Sequence, residues 1–97
     1  MQSKTGQFIR LVDSAMLTAK KRMSVESDPA IAKSISNVIS VLQRTKDDAV
    51  AGSLNPSGGI ATLGFTREAL DWGEPLDSPL LQSLRAVDRY YRDQLQT

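Results

Sequence analysis

Asp28-Pro29-Ala30-Ile31-Ala32-Lys33-Ser34-Ile35-Ser36-Asn37-Val38-Ile39-Ser40-Val41-Leu42 is the stretch whose reading decides the fold. Asp28 is a side-chain cap for the free N–H groups of a helix start, and Pro29 at the first helical position loses nothing by lacking its own N–H. Behind them Ile31, Ala32, Ile35, Val38, Ile39 and Leu42 recur at three- and four-residue steps, and Ala49 extends the stripe. That is one apolar face of a helix, over 29–48. Lys46 falls in line with it, and its stem can lie on apolar surface while the ammonium reaches water.

The same period runs upstream. Phe8, Ile9, Val12, Ala15, Met16, Ala19 and Met23 fall on one arc and predict a helix over 4–23, with Leu11 and Leu17 off the arc. Lys20-Lys21-Arg22 sit in its last turn, where cations complement exposed carbonyls. Ser24 to Asp28 is too short for anything but a tight connector, so the two helices should form an antiparallel hairpin.

Downstream the pattern breaks. Residues 50–65 carry Gly52, Pro56, Gly58, Gly59 and Gly64 and read as a long Gly-rich loop, with Leu54, Ile60 and Leu63 available to pack it. Thr66 is a candidate cap for a short helix over 67–72, and Phe65 and Leu70 have the spacing of a hydrophobic staple. Gly73 and Pro75 end it. A last helix over 79–95 has the stripe Leu80, Leu81, Leu84, Val87, Tyr91 and Leu95, with Asp88 at the edge. Asp88–Arg92 and Arg89–Asp93 have the spacing of i,i+4 pairs on its exposed side. The expectation is a single all-α domain over 1–97, a small bundle of three long amphipathic helices plus one short one, with the Gly-rich loop between the second and third.

Composition narrows the chemistry. The 97 residues include no His and no Cys. Thiolate and imidazole nucleophiles, bases and zinc ligands are therefore excluded, and disulfides with them. Asp88 beside Tyr91 and Arg92 is the one place where a perturbed carboxylate could do catalysis, but a buried Asp is more simply a paired structural group, here with Lys46 or Arg85. The sequence points to a non-enzymatic protein with no cofactor and no metal. Neither a secretory leader nor an apolar stretch near 20 residues is visible, so a cytoplasmic chain without a membrane contact is expected.

Charge is split along the chain. Residues 1–46 hold eight Lys/Arg and three Asp/Glu, including all five lysines. Residues 47–97 hold four Arg and eight Asp/Glu. Either the basic half docks on the acidic half, or the surface is bipolar and meets charged partners.

Three candidate sites follow. Glu68, Asp71, Glu74 and Asp77 recur every three residues around the lone Trp72. With Tyr90, the residues Trp72, Glu68, Asp71 and Glu74 are the candidate surface for a protein partner; a solvated acidic face is the plainer alternative, and the carboxylates lack the pattern of a calcium loop. Gly59-Ile60-Ala61-Thr62-Leu63-Gly64-Phe65-Thr66 matches a phosphate-binding loop except at the lysine, which is Phe65 here, so nucleotide hydrolysis is not expected. Gly59, Gly64, Thr66 and Arg67 could still hold a small anion through backbone N–H groups and a helix start. Lys20, Lys21, Arg22 and Lys33 are the candidate contacts for nucleic acid, a less favoured partner because charges are few and no aromatics interleave them. The favoured function is a protein-binding or regulatory module, with a homodimer through Leu11 and Leu17 open.

Overall fold

The computed structural model describes residues 3–59 and 63–96. Among them are four helices: α1 (Lys4–Ser24), α2 (Pro29–Val50), α3 (Phe65–Asp71) and α4 (Pro79–Gln94). The expected three long helices and one short one are all present. α1 lies between α2 and α4 and packs on both, while α3 lies against α4 and touches α2.

Each helix start is capped from the local sequence except one. The Ser3 hydroxyl accepts from the Gly6 amide, Asp28 from Ala30, and Ser78 from Leu80 and Leu81, with Pro29 and Pro79 opening their helices. The exception is α3. It begins at Phe65, two residues before the expected start, and its cap position is Gly64 in the left-handed region at φ 78°. Thr66 therefore does not cap it. Thr66 lies inside the first turn, and its amide is satisfied from another helix, as described below. With the cap at Gly64, Phe65 and Leu70 no longer hold the staple positions: Phe65 is buried in the core, whereas Leu70 is 44% exposed.

The core holds Phe8, Val12, Ala15, Met16 and Ala19 of α1, Ile35, Val38, Leu42 and Ala49 of α2, Phe65 and Ala69 of α3, and Leu80, Leu81, Leu84, Val87 and Tyr91 of α4. These are the predicted stripes, joined by α3. Truncating a fully buried residue such as Leu81 to Ala costs about 2–5 kcal/mol in such a setting. Of the two leucines off the α1 arc, Leu11 packs partly against the core, and Leu17 is 58% exposed.

Polar ties hold what the stripes do not. Lys46 Nζ reaches Asp13 Oδ1 at 2.8 Å and bridges α2 to α1; it does not meet Asp88. The segment after α2 is stitched to the end of α4. The Tyr91 hydroxyl donates to the Asn55 carbonyl at 2.6 Å, the Ser57 hydroxyl to the Arg92 carbonyl at 2.8 Å, and the Ser57 amide to the Leu95 carbonyl at 2.8 Å. Part of the Gly-rich loop is thus fixed by backbone bonds to α4, where Ser57 is buried.

Candidate functional site: an arginine groove between α3 and α4

Seven residues separate Arg85 from Arg92, with Arg89 between them, so steps of four and three put all three on one face of α4 over about 10 Å. α3 packs against that helix and brings Arg67 to the same place. Between them is an open groove of about 610 Å³ lined by Leu63, Gly64, Thr66, Arg67, Arg85, Asp88, Arg89 and Arg92. These four arginines are every cationic side chain that residues 47–97 contain. The predominantly acidic half of the chain therefore gathers all its positive charge in one place.

The arginines differ in how far they are already compensated. Arg92 Nε pairs with the neighbouring Asp93 at 2.9 Å, not with Asp88 one turn back. Hydrogen bonding from Arg92, aided by its charge and that of Arg89, holds the Asp93 carboxyl below its ordinary range, and the same pair raises Arg92. The pair is exposed and so contributes little to stability. Arg67 and Arg85 have no carboxylate partner among the described residues. Both are exposed.

Asp88 sits in the groove wall with a structural task. Its Oδ2 accepts from the Thr66 amide at 2.8 Å and from the Thr66 hydroxyl at 2.7 Å. A carboxylate from α4 thus supplies the cap that α3 lacks locally, and stabilises its N-terminal N–H groups electrostatically as well. Its other oxygen, Oδ1, is buried and has no hydrogen-bond partner among the described residues. The backbone donor that the sequence offered to an external anion is accordingly filled by the protein's own carboxylate. Of the four candidate anion residues, Gly64, Thr66 and Arg67 line the groove. Gly59 lies by the end of α4, where its amide donates to the Ser57 hydroxyl at 3.1 Å and the Gly58 amide donates to the Gln96 carbonyl at 3.2 Å. Ile60, Ala61 and Thr62, the middle of the loop motif, lie outside the described residues.

The candidate partner surface is divided. Glu68 and Asp71 are exposed on α3. Tyr90 is half-buried and stacks on Phe8 at 6.4 Å, on the side of α4 facing α1. Glu74 turns inward. Gly73, at φ 85°, ends α3 in a Schellman turn: the Gly73 amide donates to Leu70 and the Glu74 amide to Ala69. That turn aims the Glu74 side chain, 0% exposed, at three donors. Arg22 Nε donates to both its oxygens at 3.2 and 3.1 Å, the Trp72 indole donates at 2.9 Å, and the Ser78 hydroxyl at 2.5 Å. Arg22 also pairs with Glu26 at 2.7 Å. Burial pushes the Glu74 carboxyl up, but the hydrogen bonds from Ser78, Trp72 and Arg22 outweigh it and leave it below the ordinary glutamate range. Glu74 and Trp72 are therefore committed to joining α1 to the α3–α4 turn. Arg22 is taken from the basic cluster as well, leaving Lys20, Lys21 and Lys33 exposed.

Among the described residues no group of three or more metal-binding side chains converges to hold an ion, and no helix is long and apolar enough to cross a membrane. Fold and groove together define a small helical domain with a cationic cleft. In comparisons with known proteins, no family model, curated protein or solved structure matches this chain. The signal for the groove was present in the sequence as the 85/89/92 spacing. It lacked Arg67, whose approach depends on how α3 packs on α4.

Proposed function

We propose that this chain is a non-enzymatic binding module that seats an acidic group of a partner protein in the groove between α3 and α4. One observation carries the reading: Arg67, Arg85, Arg89 and Arg92 line a single open groove, and Arg67 and Arg85 have no carboxylate partner among the described residues. Guanidinium groups present a planar fork of donors that matches carboxylate and phosphate oxygens. An exposed cluster of like charges is disfavoured in the free protein, so an incoming anion removes repulsion as well as adding contacts. The non-enzymatic part of the reading is supported by the use of the buried Glu74 and the half-buried Asp88: Glu74 accepts four hydrogen bonds and Asp88 caps α3.

The test is a titration of the isotope-labelled chain with a glutamate-rich peptide, followed by amide chemical shifts. Shifts should concentrate at 64–67 and 85–92, and a matched glutamine peptide should produce none. In Arg67→Gln/Arg85→Gln the same peptide should bind several-fold more weakly. Both side chains are exposed and have no carboxylate partner among the described residues, so the fold should survive the change. Shifts confined to other faces, or unaffected by the double substitution, would remove the groove from the function.

A further inference from the structure

We infer that the group the groove is built for is a phosphomonoester, carried on a serine or threonine of the partner protein. This rests on the groove being the binding face, and it adds the chemistry of the occupant. The first argument is charge. The lining carries four arginines and one aspartate, and Arg92 is already paired with Asp93, which leaves a local excess of +2. A single carboxylate offsets one of these charges, whereas a phosphomonoester brings about −1.5 to −2 at neutral pH.

The second argument is direction. A carboxylate has two coplanar oxygens and is satisfied by one guanidinium fork. A phosphomonoester presents three terminal oxygens splayed around phosphorus. The groove offers donors from two helices, Arg67 on α3 and Arg85, Arg89 and Arg92 along α4, which suits the splayed set. The third is residue choice. The chain has five lysines, yet the groove contains only arginine. Arginine differs from lysine in offering a rigid fork to phosphate, not in charge.

A nucleic-acid strand fits less well. Single strands are held by aromatic platforms beside a basic track. The nearby aromatics are otherwise engaged: Tyr91 is buried and bonded to Asn55, Tyr90 stacks on Phe8, and the Trp72 indole is held by Glu74. The α4 arginines also span only about 10 Å, which suits one phosphate group more than a run of them.

The experiment uses the full chain and short alanine peptides carrying one central phosphoserine, glutamate or serine, with a single-stranded RNA oligonucleotide as a further ligand. Affinities are read from amide shifts. The phosphoserine peptide should bind at least about tenfold more tightly than the glutamate peptide, should lose about tenfold or more in Arg67→Gln/Arg85→Gln, and should shift 64–67 and 85–92. Equal affinity for glutamate and phosphoserine would overturn the phosphate assignment and leave the acidic-partner reading standing. Failure of both acidic peptides to bind would overturn both. RNA binding tighter than any peptide would overturn the phosphopeptide assignment in favour of a nucleic acid. Inorganic phosphate is added in a last arm: competition at the same amides supports a phosphate seat, and phosphate shifts elsewhere count against it.

Discussion

Glu74 shows how one residue can change role between sequence and structure. Spacing alone places it in an acidic series with Glu68, Asp71 and Asp77, as though all four shared a solvated face. The series has no common face because Gly73 and Pro75 end the helix between its members. The Schellman turn then directs Glu74 inward, onto Arg22 fifty-two residues earlier in the chain. Nothing in the local sequence names that partner. The consequence is measurable. A carboxylate whose folded pKa is depressed contributes stability above its unfolded value and loses it as pH falls through the folded value. For Glu74 that loss begins near the ordinary glutamate pKa of 4.5 and continues below it. The melting temperature of the wild type should therefore drop through this acid window, and Glu74→Gln should show a shallower drop. Trp72 fluorescence, the only indole signal, should follow the same acid transition and lose it in the variant. Glu74→Ala at neutral pH should cost about 2–3 kcal/mol, below the usual cost of breaking a buried pair because Arg22 keeps solvent contact and Glu26. An acid limb unchanged in Glu74→Gln would show that other carboxylates set it.

At the scale of elements, the long helices were legible and the short one only roughly. α1, α2 and α4 each bury a stripe that repeats over several turns, so the period alone identifies them. α3 has seven residues, too few for a period to register and too few to be stable alone. Its presence rests on Phe65 and Ala69 in the core and on Asp88 at its start. That cap lies twenty-two residues away, and for this reason local rules assigned the role to Thr66. Asp88→Ala should remove the acceptor that the Thr66 amide has among the described residues. The expected cost is about 1–2 kcal/mol, the range of a lost helix cap. Hydrogen exchange should show where it falls: amides of 66–71 should exchange faster, while those of α1 and α2 should keep their protection. A uniform loss of protection across all four helices would mean that α3 does not open separately.

For the whole molecule the question is how a chain of net charge +1 comes to have a strongly charged site. The sequence suggested that its basic and acidic halves dock on each other. Arg22–Glu74 does join them, but Lys46 turns to Asp13 within the first half. The four arginines of the second half instead meet in one groove, an arrangement set by the packing of α3 on α4 and invisible to any count along the chain. Local and global charge can be separated by experiment, because exposed charges act over about 8 Å at physiological salt. Lys20→Gln/Lys21→Gln and Arg67→Gln/Arg85→Gln both lower the net charge by two. If the groove arginines act by contact, phosphoserine-peptide affinity should fall about tenfold in the arginine variant and stay within about twofold in the lysine variant. The arginine variant should also lose part of the salt dependence seen in the wild type, since fewer ion pairs remain to be screened. Equal losses in the two variants would show that the peptide responds to overall charge, and the groove would then have no special claim on it.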